Sequence, residues 1–348
     1  MTARLRVDLS ALTTNIARVR ETVAPAELML VVKDDAYGHG LEAVVRTAVD
    51  AGVRWFGAFD ARTGTAVRAV AGDGVRIFTW IAASRDDLRA ALAARLDLGI
   101  GDAELLEDLA DAASGVAAAP RVHLKIDTGL HRNGVRPEAW PAFVARAAEL
   151  QSAGSIEVAG IWSHIAEASD AEDDDARTLF EWALDEAAAA GIHPSVRHLA
   201  ASAASFARPE FRYDMVRVGA FCYGIRSTGG PSAGELGLAP IGRLEADVVA
   251  VHHDGVQVDI GALAGLPTSL RGGRARVGTP AGGRRLEIVG ESHSLVEGWP
   301  DAAVGDTVTL FGPGTRGEGS ATDLAELIGT IGEEIALRVS PLIPRVYH

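Results

Sequence analysis

The sequence predicts an α/β fold, a (β/α)8 TIM-type barrel followed by a smaller, mostly β domain. Three observations predict it. Short β-branched or aromatic segments alternate with longer segments of helical spacing, this alternation stops near residue 225, and the chain has 348 residues. Such barrels typically take about 250 residues, so the length leaves room for a second domain. A doubly wound open sheet is the alternative.

The barrel strands are expected at eight short apolar segments: 28–32, 55–59, 76–80, 96–100, 121–126, 157–164, 195–199 and 215–223. Amphipathic segments lie between them, and several begin with Asp, Ser or Pro, which suit a helix N-terminus. They include 41–51, 86–95, 103–113, 139–150 and 176–190. We therefore predict a barrel domain over residues 10–226.

The second domain is expected over residues 235–348. Its strand-like segments follow the turn-rich stretch 227–231: 243–251, 257–260, 274–277, 285–289 and 307–311. A helix at 321–330 and a last strand at 334–339 complete it. Residues 1–9 fall outside the barrel alternation and are expected to pair into this domain.

Composition narrows the function classes. The chain has 47 acidic and 33 basic residues, a formal charge of −14, and no Lys/Arg-rich run, which argues against nucleic acid as a partner. It has no apolar stretch of membrane-spanning length and no signal-like N-terminus, so we expect a cytoplasmic protein without a membrane partner. With a single Cys222 and no HExxH motif, we expect no metal site.

Residues at the carboxyl ends of the barrel strands are the candidates for chemistry, because active sites of such barrels lie there. Lys33 closes the first strand, where burial would disfavour its charge and leave a nucleophilic amine able to form a Schiff base. The alternative is a strand-end lysine that reaches solvent. The turn Tyr37, Gly38, His39 and Gly40 follows, and its glycines let a ligand approach, which favours the functional interpretation.

Charged residues also end the fifth strand. Lys125 and Arg132 could form a positive wall for an anionic group, or Lys125 and Asp127 could form a buried ion pair, with either Arg132 or each other; the residues alone leave both interpretations open. His164 and His198 end the next two strands, where a lone histidine is more often a supporting hydrogen-bonding group than a base.

Ser202 and Gly219 lie late in the barrel, where a hydroxyl and backbone N–H groups could hold a phosphate. Each by itself is more often a helix cap or a turn residue. The acidic stretch 170–175 is best interpreted as a solvated helix N-terminus.

Taken together, these motifs resemble the alanine racemase family. Residues 32–40 resemble the lysine motif that binds pyridoxal phosphate in that family, and 125–132 resemble its second signature. Further segments follow in the family's order across the whole chain: 163–164, 198–204, 214–219 and 321–347.

The resemblance implies a pyridoxal 5'-phosphate enzyme, an isomerase acting on L-alanine and D-alanine or a related small amino acid, by removal of the Cα proton from an external aldimine. It also implies a homodimer in which each β domain completes the partner's active site. Lys33 would carry the cofactor and act as one Cα base. The resemblance assigns the remaining roles by position. The residues that would bind the phosphate are Tyr37, Ser202, Gly219, Ala220 and Tyr347. Arg217 would face the pyridine nitrogen with His164 behind it, Arg132 would contact the phenolate side, and a carbamylated Lys125 would orient Arg132.

The sequence departs from the family where the second Cα base is expected. Racemisation by two bases needs a proton acceptor on each face of the intermediate, and in the family the second is a tyrosine of the partner's β domain. This chain has four tyrosines, at 37, 213, 223 and 347, so none lies between Tyr223 and Tyr347. The family's Ser-Tyr-Gly loop is absent, and Ala262 and Ala264 occupy later tyrosine and aspartate positions of the family. Ala201 replaces the asparagine that usually precedes the phosphate serine.

Three functions remain in order of preference. The first is a racemase with a substitute base, for which His293 is the first choice, ahead of His252 and His253, although each could be a solvated loop residue. The second is a pyridoxal-phosphate enzyme with one-face chemistry, such as decarboxylation, aldol cleavage or transamination. The third is a catalytically weak cofactor-binding homologue.

Overall fold

The structure, a computed structural model, describes residues 2–116, 118–167 and 169–348. The described chain forms two compact units. One contains Val19–Lys33 and Gly52–Gly219, and the other contains the remaining described segments.

The first unit contains a parallel sheet that closes on itself. Its strands, in spatial order within the described chain, are Val196–His198, Glu157–Trp162, Arg121–Lys125, Asp97–Ile100, Arg76–Ile81, Trp55–Asp60, Glu27–Val31 and Met215–Val218. Backbone hydrogen bonds join the two ends of this order, since Asp214 N donates to Arg197 O and Arg217 N to Ala200 O, both at 3.1 Å. The predicted (β/α)8-type barrel is therefore confirmed.

Helices follow the strands and begin where the sequence supplies a cap. The side chains of Asp60, Ser84, Asp102 and Ser169 each accept a hydrogen bond from a backbone N–H of the following first turn. Across both units the longer helices are Leu9–Val23, Leu41–Asp50, Ala61–Ala71, Arg85–Ala93, Ala103–Ala112, Trp140–Ser152, Asp170–Ala189, Ala321–Ile328 and Gly332–Arg338. Shorter helices are Ser202–Ala207 and Ala233–Leu236.

The barrel interior combines an apolar cluster with buried polar residues. Met29, Phe78, Trp162 and Met215 come from four different strands and pack together. Burial of these four side chains stabilises the barrel, because each side chain of this size contributes about 1.5–3 kcal/mol to the free energy of folding when it is removed from water.

The second unit is built on a mostly antiparallel sheet. Its strands, in spatial order within the described chain, are Gly255–Val258, Ser294–Val296, Gly282–Val289, Arg276–Thr279, Thr307–Phe311, Gly242–His252, Arg4–Val7 and Arg345–Tyr347. The N-terminal strand pairs antiparallel with Gly242–His252 and parallel with Arg345–Tyr347. A smaller, mostly β domain after the barrel is thus confirmed, while the boundaries at 226 and 235 stay a prediction.

Two predicted strands differ in the structure. The segment 334–339 was expected as a strand but lies in the helix Gly332–Arg338, so that prediction is wrong. Neighbouring Ile335 and Ala336 are both buried whereas Leu337 is exposed, a helical pattern. Acidic residues in the first turn and Arg338 in the last also complement the helix dipole. The segment 215–223 ends as a strand at Val218, and Ala220–Tyr223 forms a 3-10 turn.

None of the helices in the described part of the chain combines the length and apolar character needed to cross a membrane.

Candidate active site

Lys33 lies at the carboxyl end of the strand Glu27–Val31 and begins an unusual turn. Asp34, Asp35, Ala36 and Tyr37 all have φ of 54–55°, so the chain makes a left-handed turn without a glycine. Side chains in this conformation cost roughly 1–2 kcal/mol per residue, because Cβ approaches the following carbonyl oxygen. Such strain persists only where surrounding contacts determine the conformation, which is typical of functional sites.

Contacts around Tyr37 and His39 hold the turn. The Tyr37 and Tyr223 ring centroids are 4.8 Å apart, and His39 stacks on Tyr223 at 5.4 Å. His39 Nδ1 is 3.1 Å from Ala36 O, and burial lowers the pKa of His39 to about 4, so this imidazole stays neutral and donates. Burial also raises the pKa of Tyr37 and keeps its phenol protonated.

Tyr347 lies against the same turn. The strand Arg345–Tyr347 follows Arg4–Val7, and Arg345 Nε donates to Gly38 O at 3.0 Å. A Cβ at Gly40, whose φ is 94°, would overlap the Tyr347 hydroxyl, so the absence of a side chain there lets the phenol approach the backbone. The sequence-predicted Tyr37, Ala220 and Tyr347 all belong to this second unit.

The barrel unit gathers four cationic side chains around His164. Burial lowers the pKa of His164 to about 3, and Arg217, Arg132, Lys125 and Lys33 lower it further, in that order. His164 is therefore neutral at physiological pH. The structure thus brings together five of the predicted site residues at the carboxyl end of the barrel strands.

Lys125 is almost fully buried within this cluster. Its Nζ lies 4.4 Å from the centroid of the Trp162 ring. Burial, then Arg217 and Arg132, lower the pKa of Lys125 to about 8, while Asp127 opposes the shift. The ammonium group consequently loses its proton more easily than an exposed lysine does.

Asp127 does not form the ion pair with Lys125 that the sequence left open. Its carboxylate accepts hydrogen bonds from the backbone N–H of Gly129 and His131, at 3.1 and 3.0 Å, and lies 3.0 Å from His131 Nδ1. These contacts shape the loop that carries Arg132, so Asp127 acts here through the loop rather than by neutralising the cluster.

Arg217 is held by neutral acceptors. Its Nη2 donates to Ser163 O at 2.8 Å, Leu199 O at 2.9 Å and His164 Nδ1 at 3.1 Å. Its Nη1 donates to His198 Nδ1 at 3.2 Å. Burial lowers the pKa of Arg217 to about 9, which still leaves the guanidinium charged at neutral pH. Four fixed hydrogen bonds leave this side chain little freedom to rotate.

Ser202 and Gly219 lie together, as a phosphate-binding pair requires. Gly219 N donates to Ser202 Oγ at 3.3 Å, and Ser202 begins the short helix Ser202–Ala207. This long hydrogen bond can be exchanged for one to an anion, since both groups are donors.

The β unit places His293 beside the segment that contains Ala262. Ala262 N donates to Gly290 O at 2.9 Å, and Gly290 N donates to His293 O at 2.9 Å. His293 Nε2 is 3.7 Å from Asp259 Oδ1. His293, His252 and His253 line an open cleft of about 540 Å³.

The hairpin before this segment is short. The strands Gly242–His252 and Gly255–Val258 pair with His252 opposite Gly255, so His253 and Asp254 alone make the turn. Among the residues that the structure describes, no group of three or more histidine, cysteine or acidic side chains could hold a metal ion.

Sequence reasoning missed two buried polar residues that continue from Arg217 into the barrel, Asp97 and His123. The signal was present, because both interrupt strands whose inward positions should be apolar. Trp162, whose ring lies beside Lys125, was likewise not selected.

Comparison with known proteins agrees with this geometry. Residues 7–227 match the family model of the alanine racemase N-terminal domain, and 256–347 match that of the alanine racemase C-terminal domain. The alanine racemase of Beutenbergia cavernae is 39% identical over 372 residues, covering 99% of this chain and 97% of that protein. The alanine racemase of Thermobifida fusca is 37% identical, over 99% and 98%.

Solved structures show the same likeness. The alanine racemase of Streptomyces coelicolor A3(2) superposes with a TM-score of 0.95 at 33% identity, covering 99% of this chain and 98% of that one. The alanine racemase of D-cycloserine-producing Streptomyces lavendulae gives 0.94 at 30% identity, over 100% and 97%. With both domain models matched in order and relatives similar over nearly the full length, this chain belongs to the alanine racemase family.

Proposed function

We propose that this protein is a pyridoxal-phosphate-dependent amino-acid racemase that interconverts L-alanine and D-alanine or a related small amino acid. The observation that carries the proposal is the cluster of Lys33, Lys125, Arg132 and Arg217 around a neutral His164. Membership of the alanine racemase family supports the same activity.

The chemistry of the cluster fits pyridoxal phosphate, which carries an anionic phosphate and a phenolate. Arg217 donates to neutral oxygen and nitrogen atoms, so its charge, with those of Arg132 and Lys33, favours an anionic ligand. When bound, pyridoxal phosphate makes the Cα proton of an amino acid acidic, because it delocalises the charge left behind.

Each site residue then has a role that its chemistry suits. Lys33 would hold the cofactor and, through Nζ, take or return the Cα proton on one face. Arg217 would face the ring nitrogen; as an arginine it keeps its own proton, which favours return of a proton to Cα over side reactions. Tyr37, Ser202, Gly219, Ala220 and Tyr347 would hold the phosphate. Arg132 would contact the phenolate side, and the neutral His164 would support Arg217.

We further propose that Lys125 is carbamylated and orients Arg132. With a pKa of about 8, a large fraction of this amine is unprotonated at mildly alkaline pH and can attack CO₂, forming an N–C bond as a proton passes to solvent. The product is an anion beside two arginines. ¹³C NMR with ¹³C-bicarbonate should show a carbamate signal that is lost in Lys125→Met. A wild-type enzyme with no such signal would exclude the modification.

The second base is proposed to be His293. Ala262 offers no proton acceptor, whereas His293 lies on the adjoining strand end and brings an imidazole, whose Nε2 is 3.7 Å from Asp259 Oδ1, to this edge of the β unit. The exposed cleft beside it leaves the imidazole accessible to a partner site.

A homodimer with shared active sites is part of the proposal. A mixture of Lys33→Ala and His293→Gln proteins tests both assignments, since a hybrid dimer would carry one intact site. After subunit exchange, activity should recover to about a quarter of wild type, because half of the dimers are hybrids and each has one of two sites intact. Absence of recovery would contradict the shared site.

The main test is Cα hydrogen exchange in heavy water with L- and D-amino acids, read together with optical purity. Exchange with loss of optical purity supports a racemase. Lys33→Ala should abolish both exchange and cofactor absorbance. His293→Gln should lower racemisation strongly, while His193→Gln, which changes an exposed histidine that is not a candidate base, is the matched control. Unchanged racemisation in His293→Gln would rule out His293 as the base.

One-face chemistry is the second candidate, favoured by alanine at both 262 and 264. Exchange with retained configuration, together with release of CO₂ or an aldehyde, would support it. Absence of exchange with every amino acid would leave a cofactor-binding homologue.

A further inference from the structure

A chain of buried polar side chains runs along the inside of the barrel from Asp97 to Arg217. His123 Nε2 is 3.4 Å from Asp97 Oδ2, His123 Nδ1 is 2.7 Å from His198 Nε2, and His198 Nδ1 is 3.2 Å from Arg217 Nη1. Asp97 is 2% exposed and both histidines are 0% exposed. Barrel interiors are normally filled by branched apolar residues, so a continuous polar chain here is unusual.

The direction of every hydrogen bond in the chain follows from Arg217, because a guanidinium only donates. His198 Nδ1 must therefore accept, and its proton lies on Nε2, which donates to His123 Nδ1. His123 then carries its proton on Nε2, facing the Asp97 carboxylate. Burial, then His123 and Arg217, lower the pKa of His198 well below its usual value, so this imidazole stays neutral.

Packing prevents the two imidazole rings from turning. The His198 ring stacks on Trp162 with an interplanar angle of 4° and a centroid distance of 5.7 Å. Phe78 contacts both rings, at 4.8 Å from His123 and 5.4 Å from His198. A Cβ at Gly160 would overlap the His123 ring, so glycine at this position leaves the space that the ring occupies.

Asp97 is anchored at the far end, at the first residue of its strand. Arg76 Nη2 forms a hydrogen-bonded ion pair with Asp97 Oδ2, and Arg121 Nε lies 3.7 Å from the same oxygen. The two arginines hold this carboxyl group in place. A carboxylate that accepts a hydrogen bond from a histidine fixes the tautomer of that histidine, as in other aspartate–histidine pairs.

We propose that Asp97 and His123 are positioning residues for Arg217: through His198 they present an unprotonated Nδ1 that holds the guanidinium toward the cofactor ring nitrogen. This inference rests on the proposed function, since it assigns Arg217 that role. Neither residue touches the reacting atoms. If His198 changed tautomer, its Nδ1–H would face Arg217 donor to donor, and the guanidinium would have to move.

The first test is read on the wild-type protein, with variants used only to assign signals. ¹⁵N-histidine NMR of the wild-type holoenzyme should show two neutral imidazoles, His123 and His198, both protonated at Nε2; His123→Gln and His198→Gln assign the signals. A His198 protonated at Nδ1, or on both nitrogens, would overturn the proposal, whatever the enzyme's activity.

Asp97→Asn is the second test. We expect a changed tautomer population at His123 and His198, and a 10–100-fold lower kcat, the usual range for such supporting residues, with a smaller change in KM. Asp97→Glu should restore much of the wild-type tautomer and rate. A matched control separates this role from the loss of any ion pair. Asp73→Asn makes the same substitution at an exposed carboxylate paired with Arg95, outside the hydrogen-bond chain, and should leave the tautomers and kcat unchanged.

The outcomes are distinguishable from failure of the proposed function. If His123 and His198 of the wild-type protein are both protonated at Nε2 but the protein shows no Cα exchange, the proposed racemase activity is refuted and the hydrogen-bond chain stands. An active racemase in which Asp97→Asn shifts neither tautomer nor kcat would refute the positioning role alone.

Discussion

Replacement of Asp34 by glycine and by alanine tests the left-handed turn after Lys33. Asp34 has φ 54° and ψ 51° and is exposed, so neither change creates a buried cavity. Asp35 is less suitable, because its Oδ1 accepts a hydrogen bond from Leu41 N at 2.8 Å. Ala36 and Tyr37 are buried. Asp34 therefore isolates the backbone conformation.

The expected magnitude follows from two opposing terms. An L side chain in this conformation costs roughly 1–2 kcal/mol, which glycine avoids. Glycine loses roughly 0.5–1 kcal/mol more backbone entropy than alanine on folding. Asp34→Gly should thus be about 0.5–1 kcal/mol more stable than Asp34→Ala.

Ala66 gives the control, because it is exposed within the right-handed helix Ala61–Ala71. There glycine should be about 1 kcal/mol less stable than alanine, so the preference reverses between the two positions. Equilibrium urea unfolding, with and without pyridoxal phosphate, would show midpoint differences of a few tenths of a molar, since m is about 3 kcal/mol/M or more for a chain of this size. If alanine at 34 were as stable as glycine, the strain argument would be wrong.

Three further predictions concern stability. Burial lowers the pKa of His39 from 6.5 to about 4. The neutral His39 therefore stabilises the folded protein above pH 6.5, and this stabilisation is lost as the pH falls toward 4. Relative to His39→Asn, the wild-type free energy of unfolding should fall by on the order of 3 kcal/mol between pH 6.5 and 4. Gly265 has φ 101°, and a Cβ there would overlap Arg338 O, so Gly265→Ala should lower the free energy of unfolding by about 3 kcal/mol or more. Gly74 has open space around the position of a Cβ. Gly74→Ala should therefore change the free energy of unfolding by less than about 0.5 kcal/mol in the same urea experiment. Asn15→Ala should cost about 3 kcal/mol, because the buried amide bonds three backbone groups, Cys222 O at 3.1 Å and Ala239 O and N at 2.8 and 2.9 Å; a loss below 1 kcal/mol by differential scanning calorimetry would show that water replaces it.

Most of the fold follows from local patterns in the sequence. The barrel strands alternate with amphipathic helices, and residues such as Asp60 and Ser84 mark where helices begin. The wrong strand prediction at 334–339 shows where local patterns are not enough. Ile335, Leu337 and Val339 alternate like a strand, but the choice between strand and helix was decided by which faces the fold buries.

The candidate site was predicted only as far as single residues carry chemistry. Lys33, Lys125 and Arg132 stand at strand ends, where parallel topology brings them together. The interpretation of Lys125 and Asp127 as an ion pair was open in the sequence. It was settled by the loop backbone, whose N–H groups bind Asp127.

The sequence by itself determined the architecture and the family, because periodicity and ordered motifs are local properties of the chain. It also predicts that the β domain offers no tyrosine as a second base, since no tyrosine lies between Tyr223 and Tyr347. Only the tertiary structure decided the charge states and hydrogen-bond directions. His164 is neutral because it is buried among cations, and His123 matters because strands distant in sequence place it between Asp97 and His198. Burial and directed hydrogen bonds depend on what surrounds a residue, which no local pattern encodes.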